Sequence, residues 1–181
     1  MKFKKFKFKK VRSTNNTAIR IIKKTHYKYG MVISESQTNG KGQYGRKWIS
    51  HKGNLFVTFF HEVNKIKLSI ATITKLNCLL IKKLISKYTN KKILYKKPND
   101  LFIDKKKICG ILQEIIFIQN KKYIIIGIGI NINKSPYIKK CPTTNLNELT
   151  NKHIKINEIE KSLKQIFENN LLKMYNLKVN N

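Results

Sequence analysis

The spacing of apolar residues changes several times along the first half of the chain. Phe6 and Phe8 alternate with lysines, which predicts a half-buried strand. Apolar residues then recur at helical spacing behind Ser13-Thr14-Asn15, which predicts a helix from about 15 to 27. Short apolar runs at 31–33 and 55–60 predict two more strands. Between them, residues 37–47 carry glycines and almost nothing apolar, and are expected to form a loop.

The second half begins with one long amphipathic helix, predicted over residues 68–88, and ends with another over about 156–175. Between them, apolar runs predict four strands, at 93–95, 101–103, 108–118 and 123–130. The polar turns between these strands are too short for a parallel crossover, which needs a dozen or more residues. The pattern therefore predicts helices combined with antiparallel strands.

Length and charge narrow the picture further. The chain has 181 residues, of which 41% are hydrophobic, enough for one domain with a buried core. Lys+Arg outnumber Asp+Glu by 39 to 9, a net charge of +30, and only Arg12, Arg20 and Arg46 are arginines. An anionic partner is expected, although an A+T-rich genome would also produce such evenly spread lysines. A basic nucleic-acid-binding module stays an alternative, but no segment concentrates the cations, and no specific DNA binding is expected.

The cysteines and histidines indicate a reducing compartment without a structural metal. Cys78, Cys109 and Cys141 are odd in number and far apart, and the four histidines are isolated, so neither a disulfide framework nor a zinc site is predicted. The basic N-terminus lacks the apolar stretch of a signal peptide, and nowhere do roughly 18 apolar residues follow one another. We expect a cytoplasmic protein with no membrane partner.

The first chemical motif is the glycine-rich segment from Gln37 to Trp48, called here the glycine segment. Its glycines at 40, 42 and 45 let the backbone approach a ligand, while Lys41 and Arg46 bring charge to an anion. No Walker A pattern can be drawn through it. A phosphate or carboxylate site and a flexible surface loop both fit this composition.

Two further motifs follow. Lys96-Lys97-Pro98-Asn99-Asp100 precedes Lys107 and the run Ile108 to Glu114, so a hairpin could bring Asp100 and Lys107 to a common ligand. Gly127-Ile128-Gly129-Ile130-Asn131 fails as a dinucleotide fingerprint because Ile132 stands at the third glycine position. It is better explained as a strand whose glycines allow close packing, with Asn131 placed to bond a flat polar group.

In their order and spacing these segments resemble the catalytic domain of biotin protein ligases. That family shows S-T-N after the first strand, then Q-x-x-G-R-G-R-x-G-R-x-W, K-W-P-N-D, a K-to-G-I-L-x-E strand and G-x-G-x-N. Here the corresponding residues are Ser13 to Asn15, Gln37 to Trp48, Lys96 to Asp100, Lys107 to Glu114 and Gly127 to Asn131. The resemblance extends over about residues 3 to 175.

The resemblance implies an α+β fold related to class II aminoacyl-tRNA synthetases, with a mostly antiparallel sheet and helices on one face. It also implies a biotin-[acetyl-CoA-carboxylase] ligase that uses ATP and Mg²⁺. Such an enzyme makes biotinyl-5'-AMP and transfers biotin to a lysine of the biotin carboxyl carrier protein of acetyl-CoA carboxylase. A lipoate or octanoate transferase of the same superfamily is the other enzymatic alternative.

Site residues carried over from the family fall into three sets. The biotin-binding residues are Ser13, Thr14, Asn15, Gln37, Gly40, Lys41, Gly42, Gln43, Trp48 and Lys107. The ATP- or adenylate-binding residues are Lys41, Gln43, Arg46, Asn99 and Asn131, and the catalytic residues are Lys107, Asp100 and Arg46. No metal is expected to be bound by the protein itself.

Individual roles follow from the resemblance as well. Ser13, Thr14, Asn15 and Gln37 would recognise the ureido ring of biotin, and Lys41 and Lys107 the carboxylate and phosphate. Trp48 would form an apolar wall over the ligand, unless it is simply a core residue, and Asn131 would contact adenine. Asp100 would orient or deprotonate the incoming lysine, whose amine has a reference pKa of about 10.4.

Three positions depart from the family pattern. Lys41 replaces an arginine and keeps its charge, Gln43 replaces another arginine and loses it, and Lys97 stands in place of a tryptophan. The length leaves no room for an N-terminal DNA-binding domain or a C-terminal barrel. We therefore expect residues 1–181 to form a single minimal catalytic domain without a transcriptional function.

Overall fold

The computed structural model describes residues 2–63 and 68–174, with side chains up to residue 170. Helices in these residues are α1 (Thr14–Thr25), α2 (Ile70–Ile85), α3 (Leu146–Thr150) and α4 (Ile156–Met174). The Ser69 hydroxyl accepts the Thr72 N–H at 3.2 Å, so α2 begins after the predicted residue 68. The short α3 is absent from the prediction. Residue 175 and the side chain of Leu171, both assigned to the last helix, lie outside the described part.

The strands agree closely with the apolar runs. They are β1 (Lys4–Phe8), β2 (Tyr29–Ser34), β3 (Gly40–Lys41), β4 (Lys47–Trp48), β5 (Leu55–Glu62), β6 (Ile93–Lys96), β7 (Asp100–Ile103), β8 (Lys106–Ile118) and β9 (Lys121–Ile130). The loop expected over residues 37–47 was only partly right. Within it β3 and β4 pair as a small antiparallel sheet around a 3₁₀ turn (Gln43–Gly45).

Seven strands form the main sheet in the order β1-β2-β5-β9-β8-β7-β6. Only β1 and β2 run parallel, and every other neighbouring pair in this sheet is antiparallel. The prediction of an α+β fold with a mostly antiparallel sheet is therefore confirmed. No helix of the described residues is long and apolar enough to cross a membrane.

The prediction that all helices lie on one face of the sheet was wrong. Successive strand residues point to opposite faces, and here both faces are covered. In the larger core, α2 and α4 pack against the strand side chains of one face, which include Phe59 and Ile124. A second core packs Ala18 and Ile22 of α1 against Phe60 and its neighbours. Helix α1 therefore lies on the other face, and its first residues reach the region described next.

Candidate functional site

A cavity of about 590 Å³ lies where the start of α1, the glycine segment, the β6–β7 turn and the middle of β8 and β9 meet. Nearly all the predicted site residues line it: Ser13, Thr14, Asn15, Gln37, Lys41, Gly42, Gln43, Arg46, Trp48, Asn99, Asp100, Lys107 and Asn131. Gly40 is the exception. A Cβ there would lie 2.6 Å from the Trp48 carbonyl oxygen, so Gly40 supports the β3–β4 pair rather than the cavity surface.

Trp48 explains two of the glycines. Gly110 and Gly129 are paired across β8 and β9, and the Trp48 indole lies over both. A Cβ on Gly129 would stand 2.3 Å from an indole atom, and one on Gly110 would stand 2.6 Å away. Their lack of side chains therefore creates the shelf on which the indole rests, and Trp48 forms an apolar wall of the cavity.

Gln37 is held in place by three hydrogen bonds. Its side-chain oxygen accepts from the Thr14 N–H at 2.8 Å and from the Thr14 hydroxyl at 3.1 Å. Its side-chain nitrogen donates to the Ser50 hydroxyl at 3.1 Å. These bonds tie the N-terminus of α1 to the start of the glycine segment, so the polar end of the cavity is preorganised.

Asn15 is buried and already well bonded. Its side-chain nitrogen donates to the Glu114 carboxylate at 2.6 Å, and its oxygen accepts from the Thr58 hydroxyl at 2.6 Å. Gly127 makes room for this amide, because a Cβ there would lie 2.2 Å from the Asn15 oxygen. Asn15 thus connects α1 to β5 and β8. Its expected contact with a ureido ring stays a prediction.

Lys107 and Asp100 form the only ion pair among the described residues that line the cavity. The Lys107 Nζ lies 2.7 Å from the Asp100 Oδ1, and both side chains are about four-fifths buried, at 18% and 21% exposure. The same nitrogen stands 5.3 Å from the centre of a Trp48 ring. Because the backbone N–H of Lys107 also donates to the Pro142 carbonyl at 2.8 Å, the lysine is held at a fixed place.

The cavity as a whole is strongly cationic. Its described lining includes seven cations, Lys41, Arg46, Lys47, Lys96, Lys97, Lys107 and Lys140, against one carboxylate, Asp100. The Lys96 amine lies 4.8 Å above the Phe102 ring, which restrains it. Such an excess of positive charge in a partly enclosed site attracts anions. The arrangement fits a ligand with phosphate or carboxylate groups.

Several residues that shape or line the cavity show no sequence pattern from which their role could be predicted. The buried Asn54 accepts hydrogen bonds from the backbone N–H groups of Ile132, Asn133 and Lys134, each at 3.0 Å, and so shapes the chain after β9. Beyond it, Pro136, Ile138, Lys140, Cys141 and Thr143 line the cavity. This segment, 136–143, resembles an ordinary loop in sequence, and only the fold brings it to the site.

The buried thiols are unsuited to chemistry. Burial raises the pKa of Cys78 to about 12 and that of Cys109 well above its usual value, so neither forms a thiolate near neutral pH. Among the described residues, no group of three or more His, Cys, Asp or Glu side chains is placed to hold a metal ion. Besides lysines and the Asp100 carboxylate, the polar lining of the cavity includes Arg46 and hydroxyl and amide side chains such as Thr14 and Gln37.

Comparison with known proteins gives a consistent result. The model of the Biotin/lipoate A/B protein ligase family matches residues 7–131. The Bifunctional ligase/repressor BirA of Bacillus subtilis is 29% identical over 126 residues, which cover 68% of this chain and 39% of that protein. The protein of the same name from Escherichia coli is 31% identical over 102 residues, 55% of this chain and 32% of that one. This chain thus spans well under half the length of these relatives.

A solved structure extends the likeness to the whole fold. The biotin protein ligase from Aquifex aeolicus in complex with biotin and ATP has a TM-score of 0.78 and 28% sequence identity, covering 96% of this chain and 72% of that one. The residues matched by the family model include Ser13 to Asn15, the glycine segment, Lys107 and Asn131. Motifs, fold and family model agree, and the chain belongs to the biotin/lipoate A/B protein ligase family.

Proposed function

We propose that the chain activates biotin with ATP as biotinyl-5'-AMP and then transfers the biotinyl group to a lysine of a biotin carboxyl carrier protein. The expected acceptor is the carrier protein of acetyl-CoA carboxylase. The observation that carries the proposal is the convergence of the glycine segment, Trp48 and Lys107 on one cationic cavity. The cavity offers an apolar wall, a polar end and cations, which are the features required by a ligand with a thioether ring, a ureido group and a carboxylate.

We infer one direction for biotin in this cavity from the groups that line it. The preorganised Thr14–Gln37 pair and the neighbouring Ser13 supply donors and acceptors for the ureido ring. The Trp48 indole would cover the apolar ring and chain. The carboxylate would then come near the cations Lys107 and Lys41, where charge-assisted hydrogen bonds are strongest.

In the first step a biotin carboxylate oxygen attacks the α-phosphorus of ATP. A new P–O bond forms, the bond to the β-phosphate breaks, and pyrophosphate leaves. Negative charge gathers around the α-phosphorus, and preorganised cations and N–H groups stabilise such charge effectively. Lys107, Lys41 and Arg46 are the residues we assign to this role, with Asn131 and Asn99 assigned to the nucleotide.

Magnesium would arrive with ATP as part of the nucleotide substrate. Mg²⁺ is usually bound through phosphates, waters and one or two carboxylates rather than by a protein cage. Asp100 is the one carboxylate among the described residues that line the cavity, so the residues present fit a metal held largely by the nucleotide. The ion would offset phosphate charge there.

In the second step the carrier's lysine amine attacks the acyl carbon of the adenylate. A C–N bond forms, the bond from the acyl carbon to the phosphate oxygen breaks, AMP leaves, and the amine loses a proton. The amine must be neutral to attack, and a nearby carboxylate favours its deprotonation or orientation. Asp100 is the residue we assign to this step, because it lies at the cavity beside Lys107.

Biotin-dependent exchange of labelled pyrophosphate into ATP tests the first step. We expect exchange with biotin and little with lipoate or octanoate, because the polar Thr14–Gln37 end suits a ureido ring better than an apolar one. Exchange that depends on lipoate or octanoate would instead indicate the other branch of the family. Absence of exchange with any of these acids, together with tight binding of nucleic acid, would replace the enzyme by a binding module.

A further inference from the structure

Glu114 is a carboxylate whose partner among the described residues is a neutral amide. Its Oε2 accepts from the side-chain nitrogen of Asn15 at 2.6 Å. No Lys or Arg of the described residues lies within ion-pairing distance of Glu114, although the chain carries 39 of these cations. Asn15 lines the cavity and Glu114 does not. Any effect of Glu114 on the contacts of a ligand is therefore expected to act through Asn15.

The Asn15 amide lies across three neighbouring strands. Thr58 of β5 pairs with Gly127 of β9, and Gly127 pairs with Leu112 of β8. The amide oxygen accepts from the Thr58 hydroxyl at 2.6 Å, and a Cβ on Gly127 would stand 2.2 Å from that oxygen. The amide nitrogen donates to Glu114, and more weakly to the Leu112 carbonyl at 3.4 Å. Both ends of the amide are thus bound.

The Glu114 carboxylate determines which way this amide faces. The Thr58 hydroxyl can donate or accept, so it fits either orientation, whereas an ionised carboxylate only accepts. If the amide turned over, its oxygen would face the Glu114 carboxylate and the Leu112 carbonyl, and no hydrogen would lie between these acceptors. Glu114 therefore keeps the Asn15 nitrogen toward β8 and the oxygen toward β5.

These bonds leave one binding position on the Asn15 amide. A side-chain amide has two N–H donors and an oxygen with two lone pairs. Both donors have partners in Glu114 and Leu112, and the oxygen has one partner among the described residues, Thr58. Donation to a carboxylate polarises the amide and makes its oxygen a better acceptor. Asn15 therefore offers the cavity an acceptor, which suits an N–H group of a ligand.

We propose that Glu114 is a positioning residue, which holds the Asn15 oxygen in place to accept a hydrogen bond from an N–H group at the polar end of the acid substrate. The inference rests on the function proposed above, because the ureido ring of biotin carries N–H groups, whereas lipoate and octanoate carry none. An acid without an N–H group would leave the buried oxygen with an unsatisfied lone pair. Glu114 thus contributes to the preference for biotin although it lies outside the cavity lining.

The test measures biotin-dependent pyrophosphate exchange by Glu114→Gln. Glutamine keeps the size of the side chain but can donate as well as accept, so the Asn15 amide is free to turn over. The KM for biotin should rise about five- to twentyfold, while the KM for ATP and the maximal rate stay within about twofold. Glu114→Asp keeps an acceptor and should lose less. The matched control is Glu35→Gln, which removes an exposed carboxylate that does not line the cavity.

A double-mutant cycle distinguishes positioning from a general structural effect. Asn15→Ala should raise the KM for biotin at least as much as Glu114→Gln does. Adding Glu114→Gln to Asn15→Ala should then raise it no further, because a residue that acts through another has no effect once that other side chain is gone. Asn15→Ser takes the place of Asn15→Ala if the alanine variant does not fold.

The possible outcomes separate this inference from the proposed function. An unchanged KM for biotin in Glu114→Gln, with normal exchange by the wild type, overturns the positioning role and leaves the ligase function standing. Equal increases in the KM values for biotin and ATP, or additive effects in the cycle, indicate a structural effect and also overturn it. No exchange by the folded wild type would instead contradict the ligase function itself.

Discussion

The Lys107 ammonium lies 2.7 Å from the Asp100 carboxylate, at the inner side of a cavity that otherwise carries only cations among its charged described residues. Asp100 pairs with Gly110, and a Cβ on that glycine would lie 3.2 Å from both the Asp100 Oδ1 and the Lys107 Cε, so the missing side chain leaves room for this contact. The Lys107 ammonium is suited to bind a phosphate. The Asp100 carboxylate is suited to orient or deprotonate an amine. Both steps of the proposed reaction can thus use the same pair.

We predict that Lys107→Ala abolishes adenylate formation and leaves the fold intact. A hydrogen bond to a charged partner contributes roughly 1.5 to 3 kcal/mol, and more where solvent is excluded. Pyrophosphate exchange should therefore fall at least about tenfold to a hundredfold, with an unchanged far-UV circular dichroism spectrum. Lys87→Ala serves as the control. Turnover at the wild-type rate in a folded Lys107→Ala protein would defeat the assignment.

We predict that residues 38–46 are mobile without ligand and become ordered with biotin or its adenylate. The tip of this segment, residues 44–46, is exposed, so its backbone is expected to open readily. Backbone bonds to the chain before α1 already anchor Thr38 and Asn39, so the largest change is expected at the tip. Hydrogen exchange measured by mass spectrometry should show protection of this segment only with ligand. Equal protection in both states would contradict the expectation.

We predict that Gln43→Arg slows the release of biotinyl-5'-AMP. Gln43 lines the cavity within the glycine segment, and a guanidinium there would add a charged contact worth about 1 to 3 kcal/mol, or roughly tenfold to a hundredfold in retention. Stopped-flow release and streptavidin blots of self-labelled protein provide the readouts. Because the wild type has 36 lysines, leaked adenylate should label it visibly. The same release rate and labelling in the variant would show that residue 43 does not retain the intermediate.

We predict that His61 makes the fold sensitive to acid. His61 is fully buried in β5, and burial lowers its pKa from 6.5 to about 3. The unfolded chain takes up a proton near pH 6.5 and the folded chain does not, so the free energy of unfolding falls with falling pH between about 6.5 and 3. The expected slope is roughly 1.4 kcal/mol per pH unit. Chemical denaturation at several pH values should show that the free energy of unfolding depends less on pH in His61→Gln than in the wild type. The same pH dependence in both proteins would show that His61 is not its cause.

Local patterns were sufficient to predict the elements but not how they pack. Strands such as β8 and β9 were predictable because continuous apolar runs between short polar turns specify them. The face that α1 covers was not, because it depends on which alternate residues of β2 and β5 meet Ala18 and Ile22. The five-residue α3 escaped prediction because it is too short for an apolar period, and Asn145 is its main start signal.

In the candidate site, too, local motifs could be predicted from the sequence and long-range contacts could not. The motifs containing Lys107, Asp100 and the glycine segment were evident in the sequence, and the structure brings them to one cavity. Asn54 was not evident, since its partners Ile132, Asn133 and Lys134 lie about 80 residues away along the chain. The seat of Trp48 on Gly110 and Gly129 depends equally on the register of two strands. Long-range contacts of this kind leave no local pattern.

The most direct test of the central claim is intact-mass spectrometry of an apo biotin carboxyl carrier protein incubated with the chain, biotin and ATP. The account predicts a gain of one biotinyl group, lost when ATP is omitted, when the carrier's target lysine is replaced by arginine, or when the enzyme carries Lys107→Ala. No mass gain with the folded wild-type chain, or a gain that persists in the Lys107→Ala enzyme, would contradict it.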